Sequence, residues 1–162
     1  MKNILRWAII SLALLFVVLQ FVRPAKTNPM IDDSRALHNQ TEMNQEVTAV
    51  IKRACYDCHS NDTRWPWYSN IAPVSWFVID HVNHGRKHLN FSNWADYDKQ
   101  QKATQLFLIG ETVRLGKMPM SSYTLMHADA QLTDDDKKLI AEWVKAEKAK
   151  LFNQPQAQSF VH

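Results

Sequence analysis

Apolar positions recur along this chain with the spacing of helices rather than of strands. The first run is continuous: Trp7 to Val22 are 16 uncharged, mostly apolar residues with Lys2 and Arg6 before them and Arg23 after. As a helix this run spans roughly 24 Å, a little short of the ~30 Å hydrocarbon core, and snorkelling of Arg6 and Arg23 would cover the deficit. A cleaved signal peptide is the rival reading, but the exit "FVRPAKTNP" carries Arg and Lys and no Ala-x-Ala where cleavage would fall. The pattern therefore predicts a membrane anchor over 1–22. Residues 23–40 contain Pro24 and Pro29, show no periodicity and read as a linker.

Beyond it, Val47, Val50, Ile51 and Ala54 fall at i, i+3, i+4 and i+7, one helix face leading directly into Cys55. "SNDTRWPWYSN" reads as an aromatic loop. Pro73 suits the start of a helix through "VSWFVIDHVNH" that ends near Gly85. "LNFSNWADYD" is irregular. A further helix spans about Asp98 to Leu115, with Gly116 as its stop. "KMPMSSYTLMHADAQL" reads as a loop. Thr133 followed by three aspartates caps a last helix that buries Leu139, Ile140, Trp143, Val144 and Leu151. The pattern predicts an all-α domain over 41–151 and a flexible tail over 152–162.

Composition sharpens this picture little: 46% apolar residues and three glycines fit one modest helical core. Charge changes it more. The net +3 arises within residues 1–40, which hold five basic and two acidic side chains, whereas fourteen of each follow. The body is thus neutral and has no basic stripe of the kind that tracks phosphates, so no nucleic-acid partner is expected.

The chemistry lies in "RACYDCHSND". It holds both cysteines of the chain, Cys55 and Cys58, with His59 directly after. Cys-x-x-Cys-His is the attachment motif of c-type haem. Two thiols at this spacing reach the two vinyl groups as thioethers, and the histidine is carried beneath the iron as proximal ligand. One covalent haem c is the expected cofactor. A Cys₂His₂ zinc site with His84 and His88 is the alternative, but 25 residues separate Cys58 from His84 and the position of His59 goes unexplained. Charges on either side of the apolar run do not settle its orientation. The motif does, since haem c is attached on the outer side of energy-transducing membranes: single-pass in the inner membrane, haem domain in the periplasm.

A sulfur ligand on the opposite face of the iron would raise the reduction potential relative to a second histidine. Met118 precedes Pro119 on the loop before the last helix and is the first candidate, with Met120 and His127 as alternatives. Met126, like Met120, reads more simply as gap-filling core. His81, His84 and His88 share a helix face and read as solvated. Trp65, Trp67, Tyr68 and Trp76 are candidates to wall a porphyrin, and Arg64 or Arg53 to pair with a propionate.

Three strings, "CYDCHSNDTRWPWYSNIAPVSWFV", "HVNHGRKHLNFSNW" and "KMPMSSYTLMHADAQLTDDDKKLIAEWV", resemble the bacterial haem-binding domain family of anchored monohaem proteins. The resemblance implies a cytochrome c-like helical fold, covalent haem through Cys55 and Cys58, and His59 as ligand; Met118 is the position carried over as distal ligand. It implies no particular reaction. The expected function is one-electron transfer to redox partner proteins at the membrane, by a carrier rather than an enzyme. The alternative is a haem-based peroxidase or a gas or redox sensor with a labile distal ligand.

Overall fold

The computed structural model describes residues 1–153 and is all-α, with no strand among them. Eight α-helices run α1 (Lys2–Leu19), α2 (Leu37–Gln40), α3 (Gln45–Ala54), α4 (Tyr56–His59), α5 (Val74–His88), α6 (Lys99–Arg114), α7 (Ser121–Thr124) and α8 (Asp134–Asn153). Short 3₁₀ turns at Asp33–Arg35, Trp67–Asn70, Phe91–Asp96 and Ala128–Ala130 join them. α1 is long and apolar enough to cross a membrane, and none of its residues is buried.

The core forms where α6 and α8 pack together and α3 lies against α8. The four apolar positions of α3 named from its sequence are all buried. Val47, Val50 and Ile51 share one core cluster with Leu106, Ile109 and Val113 of α6, Ile140, Trp143 and Val144 of α8, and Phe91 and Trp94 of the 3₁₀ turn before α6. Local sequence sets the helix ends. Asp98 accepts from the Gln101 backbone N–H at 2.8 Å, and Gln101 returns a bond from the Asp98 N–H at 2.9 Å, a reciprocal cap. Gly116 adopts φ +65°, the left-handed conformation that ends α6 without strain. Thr133 and Asp136 exchange bonds in the same way at the start of α8.

Four regions differ from the sequence expectation. The segment 117–132, expected as a loop, holds the short helix α7 and a 3₁₀ turn. α5 runs past Gly85 to His88, because a helix tolerates an interior glycine when packing requires it. The segment 23–40, expected as a linker, is bound to the domain. Ala36 and Leu37 are buried in the core, Arg35 pairs with Asp96, and Asn28 donates to the Thr63 carbonyl at 2.9 Å. No periodicity signals this because single long-range contacts carry it. α8 extends to Asn153, so Phe152 and Asn153 are helical; the rest of the expected flexible tail lies outside the described residues.

Candidate functional site

The attachment motif lies at the end of α3. Cys55 breaks that helix with φ −127°, and the chain re-enters a single turn, α4, that carries Cys58 and His59. Both thiols are free and half-buried. Burial pushes the Cys55 thiol up to about 12 and Cys58 to about 11. Neither is primed as a thiolate nucleophile, which disfavours a redox-active pair.

His59 is held by its backbone-facing nitrogen. Nδ1–H donates to the carbonyls of Gly85 and Leu89, each at 3.1 Å. This fixes the tautomer with the lone pair on Nε2, the arrangement of a histidine that ligates metal. Burial lowers the affinity of the ring for a second proton, with the two carbonyls acting in the opposite direction, so the ring is neutral at pH 7. Phe91 packs beside it with ring centroids 6.0 Å apart. The geometry depends on Gly85: a Cβ there would stand 2.4 Å from the Cys58 carbonyl oxygen. α5 can therefore approach α4 closely only with glycine at this position.

Beside the motif lies a cavity of about 300 Å³, within the range of small-molecule and cofactor sites. Cys58 lines one wall. Val74, Phe77, Val78 and His81 of α5 line another, and Met120, Tyr123 and Met126 close it from the α7 side. Of the residues named from sequence, Cys58, Arg64, Tyr68 and Met120 lie on this cavity; Cys55, His59, Trp65, Trp67, Met118 and His127 do not line it. Cys55 instead packs against the core. His127 is engaged with Tyr68 Oη at 2.7 Å from Nε2 and stacks on Tyr123 with centroids 4.3 Å apart. Arg53, the other propionate candidate, pairs with Asp136 at 2.7 Å. Trp65 donates from Nε1 to Asn28 at 3.1 Å, Trp67 is exposed, and Trp76 bonds the Val22 carbonyl.

His81, expected on a solvated face, is half-buried in the cavity wall, its Nδ1 bonded to the Phe77 carbonyl at 2.8 Å. His84 pairs with Asp80 at 3.2 Å, and His88 is exposed. Among the described residues no three His, Cys, Asp or Glu side chains converge on a metal position. The zinc alternative thus finds no ligand set.

Two contributors had no sequence signal. Asp57, between the cysteines, is buried and accepts from Tyr123 Oη at 2.7 Å and from the Arg64 backbone at 3.2 Å. It ties the methionine segment to the attachment turn. Arg86 donates to the Ser60 carbonyl at 2.7 Å, to Thr63 Oγ1 at 2.6 Å and to Asn28 Oδ1 at 3.0 Å. It locks the chain leaving the motif onto α5.

Cys58 opens onto a largely apolar cavity, while Cys55 and His59 stand outside its lining. The cavity rim leaves Val74, Phe77 and Met126 about half exposed, and a group seated there would cover them. A family model described as a haem-binding domain matches residues 14–146 of the chain. No curated protein and no solved structure matches it.

Proposed function

The chain belongs to the haem-binding domain family, and from that premise we propose that it is a c-type monohaem electron carrier, anchored by α1 with its domain on the periplasmic side. Haem is the cofactor, and the motif would attach it covalently through Cys55 and Cys58. The observation that carries it is the held tautomer of His59, whose Nδ1–H is taken by the Gly85 and Leu89 carbonyls, leaving Nε2 for iron. Bound haem supplies a one-electron iron couple. The chain's own residues orient the ligand, exclude water and set the potential. Phe77, Val82 and Val78 exclude water from one side. Asp57 and Tyr123 fix the segment bearing Met120 and Met126 on the other.

For the distal ligand we favour Met120 over Met118, since Met120 lines the cavity and Met118 does not; His127 is already bonded to Tyr68. Anchoring by α1 rests on its length and apolar surface. The periplasmic side follows from where thioether attachment occurs. Redox proteins reached along the membrane are the expected partners.

A second reading, peroxide or gas chemistry, is favoured by one observation: His81 lines the cavity with Nδ1 already bonded, so Nε2 is its remaining polar atom. Carbon monoxide binding to the reduced protein separates the two. A carrier with methionine ligation binds it slowly or not at all, and its oxidised form shows a sulfur-to-iron charge-transfer band that Met120→Ala abolishes and Met118→Ala leaves. Rapid, complete binding with no such band would favour the second reading.

A further inference from the structure

Four hydrogen bonds join the chain just past the end of α1 to one edge of the domain. Gln20 donates from Nε2 to the Ala72 carbonyl and accepts from the Ala72 N–H, each at 3.0 Å. Trp76 Nε1 donates to the Val22 carbonyl at 2.6 Å. Lys26 bonds Asn70. Pro73 packs in a shallow groove with Phe16 and Leu19 of the helix itself. The loop from Trp67 to Trp76 is thus fixed at the level where α1 ends, and the domain does not swing on a free tether.

This edge has the composition of a bilayer interface. Trp67 is 70% exposed and Ile71 36%; Trp76 stands beside them, with Phe21 and Val22 exposed on the adjoining chain. Arg23 and Lys26 supply the cations. Tryptophan with arginine and lysine at the end of an apolar helix is the pattern found at headgroup level. The patch stops at Asp80, an exposed carboxylate further along α5. Val74 and Phe77, in the first turn of α5, also line the cavity, so the cavity opens close to this edge.

We infer that the Trp67–Trp76 edge is a docking surface for the phospholipid bilayer, clamped to the end of α1, which holds the haem cavity against the membrane interface. The inference rests on the reading of α1 as an anchor. An electron donor or acceptor would then reach the cavity from the membrane plane, within the headgroup layer, more readily than from bulk solvent.

Depth measurement by spin label tests it on the full chain, carrying its haem, in vesicles of phosphatidylethanolamine and phosphatidylglycerol. Nitroxides go on Leu12→Cys in α1, Ile71→Cys on the edge and Asp135→Cys, exposed in the first turn of α8, each corrected for signal from the chain with no added cysteine. The readout is the ratio of collision rates with oxygen and with a water-soluble nickel chelate. Position 71 is expected to show a ratio several-fold above that at 135 and below that at 12. Gln20→Ala combined with Trp76→Phe is expected to lower the ratio at 71 toward that at 135. If 71 matches 135 while 12 reads as lipid, the anchor stands and the docking surface is overturned. If 12 also matches 135, both fall. A ratio at 71 unmoved by loss of the clamp would overturn the clamp's role.

Discussion

On the side built by α3, α6 and α8, Leu106, Ile140 and Trp94 keep 1% of their surface in water; across the domain, Val74 and Phe77 of α5 keep 45% and 51%. Exposure alone does not separate them, since Phe107 and Leu108 of α6 keep 52% and 45%; what differs is that the core residues of the first side are closed over by their own chain. The second ends at a cavity beside the attachment motif. On the function proposed above, the α4–α5–α7 half is the one that the prosthetic group would complete, while the α3–α6–α8 core is built from polypeptide alone. A domain this small gains from such a staple.

The largest effect should come from breaking the complete half. Trp94→Ala removes a buried indole and should cost about 3–5 kcal/mol, read as a lower denaturant midpoint in both haem-bound and haem-free protein. Next is the contact between the two elements of the incomplete half. Gly85→Ala places a Cβ against the Cys58 carbonyl; forcing α5 from α4 should cost about 1–3 kcal/mol and alter the haem spectrum, because His59 loses its carbonyl partners. The matched change in the complete half separates glycine chemistry from site chemistry. At Gly110 the new Cβ would meet Val144 at an ordinary 3.5 Å, so Gly110→Ala should stabilise by about 0.5–1 kcal/mol with no spectral change.

Phe77→Ser sharpens the contrast further. In haem-free protein it should change stability by less than about 0.5 kcal/mol, as at an exposed site. In haem-bound protein it should cost about 1.5–3 kcal/mol, as at a buried one. Equal effects in the two states would show that the α5 face is ordinary surface. The smallest expected effect is acid sensitivity of the complete half. Burial would raise the Asp136 carboxyl, but bonds from the Thr133 N–H and hydroxyl and from Arg53 outweigh it and hold it below its usual value. A lowered carboxyl stabilises the fold fully above the unfolded value of 3.8, and that contribution is lost as pH falls through the lower folded value. Asp136→Asn should therefore flatten the dependence of Tm on pH in that acid range and leave the haem spectrum unchanged.

What could be read from sequence follows the same division. The α3 face, the helix from about Asp98, the Thr133 cap and the Gly116 stop are local patterns, and each appears in the structure. The attachment motif is local too, which is why Cys55, Cys58 and His59 stand out. The rest of the site is assembled from residues far apart in the chain. Gly85 meets Cys58, Tyr123 meets Asp57 and Arg86 reaches Asn28, and no spacing in the sequence announces such pairs. Even the choice among methionines depends on which side of the α7 segment faces the cavity. Helix periodicity cannot settle that in a four-residue helix.

The central claim is covalent haem on Cys55 and Cys58, and extraction tests it most directly. The full chain is made in cells competent for haem c maturation, then treated with acidified acetone and with iodoacetamide under denaturing conditions. The account predicts that the Soret absorbance stays with the polypeptide and that neither thiol is alkylated. Haem that passes into the organic phase, leaving two alkylated cysteines, would contradict it.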